Sequence, residues 1–230
     1  MHSPPTHSPA PAPPAPRPLV TPARTAAVLA AVSAVLTALV AAEWGPLLSF
    51  DRSSADRLHR WAVAEPGLTH TNRVLTDWVW DPWTMRILTA VAVIVLWSRG
   101  ARPLAAAVVV GAVVTTALQQ GLKAVVGRER PSWPDPVDSA HFASFPSGHA
   151  MTATFTLGLF LWLLRRAGAN GWLWGTAVAV AVVSAVGVGL TRLWLGVHWS
   201  SDVLAGWLLG GCLVALFITT YGRLALSRGR

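Results

Sequence analysis

Cysteine is almost missing from this chain: Cys212 is the single one in 230 residues. That excludes an internal disulfide framework and any cysteine-based zinc site. Charge is scarce too, at 12% of residues against 53% hydrophobic. So polar-poor a composition argues against a soluble core. Several apolar runs approach the roughly 20 residues that carry a helix across a bilayer. The formal net charge of +8 raises the question of nucleic acid, but the basic residues do not gather into a soluble basic patch. The reading is an integral membrane protein of one domain, with no nucleic-acid partner.

What is present begins with residues 1–22, rich in Pro, Ala, Ser and His. They cannot bury enough apolar surface to order themselves and read as a disordered tail that includes His2 and His7. Six apolar spans follow, over about 25–42, 85–97, 103–122, 148–164, 172–190 and 199–221. A cleaved secretory signal competes for the first span, because small residues lie near 40–42, but the long Pro-rich leader favours a retained helix. The second span has an apolar part of only 13 residues and is expected to extend into its Trp-rich flank. Residues 43–83 hold Trp44, Trp61, Trp78, Trp80 and Trp83, and Trp favours the membrane–water boundary. A short surface helix is expected over 51–65, with His59 and His70 as solvated loop residues. The expected division is a tail over 1–22, a six-span domain over 23–222 and a cytoplasmic tail over 223–230. Gly206 and Gly210 make a small-xxx-small pair that suits close helix contact, and they suggest a homo-oligomer.

Six spans put both termini on one side. That side collects Arg17, Arg24, Arg99, Arg102, Arg165, Arg166, Arg223, Arg228 and Arg230, with no Asp or Glu. Every acidic residue falls on the other: Glu43, Asp51, Asp56, Glu65, Asp77, Asp81, Glu129, Asp135, Asp138 and Asp202. Short loops rich in basic residues stay cytoplasmic, so both termini are expected inside. The loop 123–149 and the segment 191–202 then share the outer face.

Ionisable groups beside apolar runs are costly, and these two segments carry several. His198 and Asp202 are four apart, a spacing that puts both on one helix face and lets the carboxylate hold the imidazole. Arg192 is six before His198, so on one continuous helix they would diverge. A turn is therefore expected near Gly196, with a new helix from about His198. Lys123 and Arg130 are seven apart, near two helical turns. Pro131 disfavours helix at Arg130, so its guanidinium reaches over from extended chain. Three fixed cations, Lys123, Arg130 and Arg192, repel one another unless a multiply charged anion binds among them, and guanidinium forks match phosphate oxygens. Ser147 reads as a helix N-cap, and the backbone N–H groups of Ser147 and Gly148 offer an anion site at that helix start. Of the two histidines, His198 has Asp202 as orienter and is assigned as the nucleophile. His149 has no carboxylate at helical spacing and is assigned as the acid for the leaving group. Two His and an Asp could hold zinc or iron, but three neighbouring cations oppose a bound dication. No metal and no cofactor are expected. His141 falls outside this spacing.

Lys123-x6-Arg130-Pro131, Pro146-Ser147-Gly148-His149 and Arg192-x5-His198-x3-Asp202 resemble the three signature motifs of the type-2 phosphatidic acid phosphatase family, which also includes vanadium haloperoxidases. The resemblance covers about residues 25–222. It implies an all-α fold, a six-transmembrane-helix bundle with the active site at the extracytoplasmic ends. It implies a metal-independent membrane lipid phosphatase working through a phosphohistidine on His198. Lys123, Arg130, Arg192, Ser147 and Gly148 would grip the phosphate, and His149 would protonate the leaving group. Thr191 stands where the third motif usually opens with Ser. Polyprenyl diphosphate, phosphatidate and phosphatidylglycerol phosphate all fit as substrates, the first slightly preferred by analogy. The alternatives are a non-catalytic lipid-phosphate binding or transport protein and a vanadate-dependent haloperoxidase-like enzyme.

Overall fold

Proline marks where most of the helices begin. In the computed structural model, which describes residues 21–228, Pro22, Pro46, Pro66, Pro82 and Pro103 each sit in the first two positions of a helix, where the missing N–H costs nothing. The helices are α1 (Pro22–Ala41), α2 (Gly45–Ala64), α3 (Pro66–Val74), α4 (Pro82–Ser98), α5 (Arg102–Val126), α6 (Gly148–Arg166), α7 (Gly171–Trp194) and α8 (Ser200–Arg228), with one π-helical turn, Leu75–Val79, between α3 and α4. No strand occurs among the described residues. Side-chain caps add to the proline signal: Asp81 accepts from the Trp83 N–H at 2.7 Å, and Asn170 from the Leu173 N–H at 2.9 Å.

Among the described residues, five stretches are long and apolar enough to cross a membrane: Pro22–Ala41, Pro66–Ser98, Arg102–Val126, Gly171–Trp194 and Ser200–Ala225. The 19-residue α6 is more polar, and it packs against α4, α5, α7 and α8. Its Ala150, Met151, Ala153, Phe155, Thr156 and Leu159 are all buried. A helix walled in by others does not need the apolar coat of one that faces lipid. The second expected span lies within the Pro66–Ser98 stretch, which takes in the Trp-rich flank and is interrupted at Trp80 and Asp81.

Gly206 and Gly210 seat α8 on α6. A Cβ on Gly206 would stand 2.8 Å from the Ser147 carbonyl oxygen, and one on Gly210 2.8 Å from that of Met151. The close contact expected of this pair is therefore made inside the chain. The face of Gly206 and Gly210, named above for a homo-oligomer, is the face that α6 occupies.

One end of the bundle holds α2 and α3. Asp51, Ala55, His59 and Ala62 form the buried stripe of α2, at the spacing of one helix face. The helix begins at Gly45, earlier than the expected 51. His59 is a correction: it is buried at 6% exposure, stacked on Trp133 with ring centroids 4.0 Å apart, and its Nε2 lies 2.9 Å from Asp135. His70 is exposed, but on α3 rather than in a loop. Trp44, Trp61, Trp78 and Trp83 are exposed at this end, as boundary tryptophans are. Residues 223–228 continue α8 rather than leave it as a tail. The expected tail over 1–22 lies outside the described residues except for Thr21 and Pro22, the cap and first residue of α1.

Candidate active site

Helix α5 stops because Gly127 takes the left-handed conformation at φ 60°, which releases Arg128 and Arg130 into extended chain ahead of Pro131. Helix α7 stops in the same way before Gly196, at φ 67°. The turn falls where the sequence places it, but α8 starts at Ser200, two residues after His198. His198 therefore precedes the helix and Asp202 lies in its first turn. Trp199 donates its N–H to Asp202 Oδ2 at 2.9 Å, so the carboxylate caps its own helix while facing the imidazole.

His198 is 2% exposed and Asp202 0%. Nδ1 of His198 lies 3.4 Å from Asp202 Oδ2, and Nε2 lies 3.2 Å from Arg130 Nη1. This network assigns the proton to Nδ1, donated to the carboxylate, and leaves the Nε2 lone pair facing the guanidinium. Burial, then Arg130, Arg192 and Lys123, hold the His198 imidazole well below its ordinary range. All three cations of the sequence constellation thus act on one ring.

Each cation has a distinct anchor. Arg130 donates to the carbonyls of Val197 at 2.6 Å, Phe142 at 2.9 Å and His141 at 3.1 Å. Lys123 donates to the carbonyl of Ala143. Arg192, 4% exposed, donates from Nη1 to Thr76 Oγ1 at 3.3 Å, and its buried Nε has no partner among the described residues. A buried guanidinium N–H without an acceptor is an uncommon arrangement that an oxyanion would complete.

Ser147 caps α6, its hydroxyl accepting from Ala150 N–H at 3.5 Å. Its own N–H is already given to the Asp202 carbonyl at 3.0 Å. Of the two N–H groups expected to bind an anion, the one on Ser147 is taken. Those of Gly148 and His149 have no acceptor among the described residues. His149 Nε2 lies 3.8 Å from Asp81 Oδ2. A carboxylate does face it, from the cap of α4 rather than from its own helix.

Sequence reading missed Arg128, Asp51, Asp81 and Thr76. Arg128 reaches Asp202 Oδ1 and Asp51 Oδ2, both at 2.7 Å. The seven-residue spacing from Lys123 drew attention to Arg130 instead. Asp51 had a readable signal, since it shares the stripe of Ala55 and Ala62 on α2. Asp81 and Thr76 had none: they are 68 and 116 residues from the groups they meet.

Beside this cluster an apolar groove of about 610 Å³ runs between α4, α5 and α6, lined by Val93, Ile94, Val109, Val113 and Phe155. It includes Thr152, three residues from His149.

The model of the PAP2 superfamily matches residues 100–225. An undecaprenyl-diphosphatase of Sulfolobus acidocaldarius is 30% identical over 151 residues, 62% of this chain and 63% of that one. A decaprenylphosphoryl-5-phosphoribose phosphatase of Mycobacterium tuberculosis is 33% identical over 171 residues, 73% of this chain and 89% of that one. Among solved structures, a transmembrane PAP2-type phosphatidylglycerolphosphate phosphatase from Bacillus subtilis superposes with a TM-score of 0.68 at 22% identity, over 86% of this chain and 96% of that one. That likeness concerns the fold. The chain spans 32% and 63% of the length of the first two curated relatives it matches.

Proposed function

The chain belongs to the PAP2 superfamily, and from that premise we propose that it is an integral membrane phosphatase that hydrolyses a phosphomonoester or diphosphate of a lipid. The observation that carries this reading is the charge around His198. Three cations bear on an imidazole whose far nitrogen faces a carboxylate, and one cation has a buried donor unused. That is a seat for a phosphoryl group against a nucleophile.

In this reading Lys123, Arg130 and Arg192 hold the phosphate oxygens, joined by the N–H of Gly148. Arg130 turns from His198 Nε2 to the arriving phosphate. The freed Nε2 lone pair attacks phosphorus, while Asp202 keeps Nδ1–H in place and offsets the charge that forms. Protonated His149, with Asp81 beside it, gives its proton to the leaving oxygen as the P–O bond breaks. Neutral His149 then takes a proton from water as that water attacks the phosphohistidine, which frees phosphate and restores His198. The cations supply the charge stabilisation a metal would otherwise give, so no metal enters the reaction.

The apolar groove gives the substrate its class. A prenyl or acyl tail lying between α4 and α5 would leave its phosphate end beside His149. Polyprenyl diphosphate, phosphatidate and phosphatidylglycerol phosphate remain the candidates. We take α6 as the sixth span, because it runs the length of the bundle inside the other five. The ends of α1, α5 and α7 and the starts of α4, α6 and α8 then form the extracytoplasmic face, with both termini cytoplasmic.

Purified protein in EDTA, offered a panel of lipid phosphates, is expected to release inorganic phosphate from at least one, and His198→Ala to release none while still inserting in the membrane. Absence of release by the wild type across the panel rejects the reading. Residual turnover by the variant rejects the nucleophile.

A further inference from the structure

The reaction described above makes no use of Arg128, although its guanidinium makes three hydrogen bonds beside the site. Its side chain is 11% exposed, against 1% for Asp51 and 0% for Asp202. Nη1 donates to Asp202 Oδ1 and Ser201 Oγ, both at 2.7 Å, and Nη2 donates to Asp51 Oδ2 at 2.7 Å. Asp51 closes the ring. Its Oδ1 accepts from the Ser201 N–H at 2.9 Å and its Oδ2 from the Ser201 hydroxyl. The Trp199 ring covers the guanidinium at 5.5 Å. One arginine thus ties α2, the loop after α5 and the first turn of α8 into a single buried clamp.

Two consequences follow for Asp202. Its Oδ1 is fixed by Arg128, so the carboxylate plane is set and Oδ2 is left for Trp199 N–H and His198 Nδ1. The guanidinium also draws on the carboxylate's charge, and Asp51 on the far side moderates that draw. We propose that Arg128, anchored on Asp51, is a positioning residue for hydrolysis: it fixes Asp202 against His198 and sets how much of the carboxylate's charge reaches the imidazole. This rests on the phosphatase reading above.

The groups that bear on His198 are Arg130 from the loop, Lys123 from α5, His149 from α6, Arg192 from α7 and Asp202 from α8. In the enzyme–substrate complex the phosphate offsets the three cations, and the Asp202 charge then governs how readily the nucleophile is protonated. The acid limb of kcat reports that complex.

The test follows kcat and KM from pH 4 to 9 on dioctanoyl phosphatidate in detergent micelles. Asp51→Asn leaves Arg128 wholly on Asp202, and its acid limb is expected to move to lower pH, by roughly half a unit. Arg128→Gln combined with Asp51→Asn removes one charge of each sign and frees Asp202. Its limb is expected to move to higher pH by about one unit, with kcat down about tenfold or more and KM within about threefold. A clamp that only held helices together would lower folded yield or kcat and move neither limb. Unmoved limbs, or shifts of the same sign, overturn the proposal. Should the paired variant fail to fold, Asp51→Asn decides alone: a downward shift supports the role and no shift overturns it. A wild type inactive on the whole panel sinks the phosphatase reading itself, a result distinct from turnover with unmoved limbs.

Discussion

Arg192 is the cation with a donor to spare. Its Nη1 is held by Thr76, while Nε is buried with no partner among the described residues. Lysine at this position keeps the charge and loses the planar fork. Arg192→Lys is therefore expected to raise KM by about 10- to 100-fold, the span of one lost charge-assisted hydrogen bond, with a smaller fall in kcat. Unchanged kinetics would remove Arg192 from the phosphate seat. His198 gives a pH dependence with a definite sign. Burial and three cations hold it below its ordinary value in the folded state, while the unfolded chain titrates near 6.5. Between those two values the unfolded state binds more protons. The contribution of neutral His198 to stability is complete above about pH 6.5 and is lost as pH falls toward the lowered folded value. The melting temperature of the wild type in detergent is expected to fall more steeply below pH 6 than that of His198→Gln, and parallel curves would count against this. The sequence made most of this cluster readable, because ionisable residues beside apolar runs stand out. Arg128 and Asp81 stayed hidden, since their partners meet them only through the packing of distant helices.

At the scale of the helix, the ends were more legible than the contacts. Proline at the starts and Gly127 and Gly196 at the stops are local signals that the backbone obeys wherever they occur. His59 shows the opposite case. Nothing in the sequence near it tells that Trp133, more than 70 residues on, will stack over its ring, or that Trp133 will donate to the Gly196 carbonyl at 2.9 Å. The small-xxx-small pair told of a close helix contact but not of which helix would fill it. That partner is α6, and the crossing holds the start of α8 to the start of α6: Ser147 N–H bonds the Asp202 carbonyl, and the Ser147 carbonyl lies over Gly206. Gly206→Ala puts a methyl 2.8 Å from that carbonyl. Backbone cannot yield as a side-chain end can, so the two helices must part. A loss of about 1–3 kcal/mol of stability is expected, with a fall in kcat because His149 lies on α6 and His198 stands two residues before α8. Gly211→Ala, whose methyl would meet only the Leu29 side chain at 3.3 Å, is the control and is expected to change both by far less. Equal effects from the two substitutions would mean that the crossing does not set the site.

The molecule as a whole has a polar end and an apolar flank, and the phosphatase reading requires that a substrate use both at once. The cage alone would accept any phosphate monoester. The groove between α4 and α5 is what would favour a lipid, and it leaves the two requirements separable. Val113 lines that groove and is 61% exposed, so a larger side chain there can be accommodated without disturbing the packed interior. Val113→Trp is expected to fill the groove and cut kcat/KM on long-chain lipid phosphates by about tenfold, the scale of a lost apolar contact of one or two methylenes or more. On p-nitrophenyl phosphate, which has no tail to place, the same variant is expected to match the wild type. The sign of the comparison matters more than its size. If both substrates suffer alike, the substitution has reached the cage through α6, and the groove has no separate part in selection. If neither suffers, the tail enters elsewhere, and the flank of the bundle between α4 and α5 is only a lipid-facing surface.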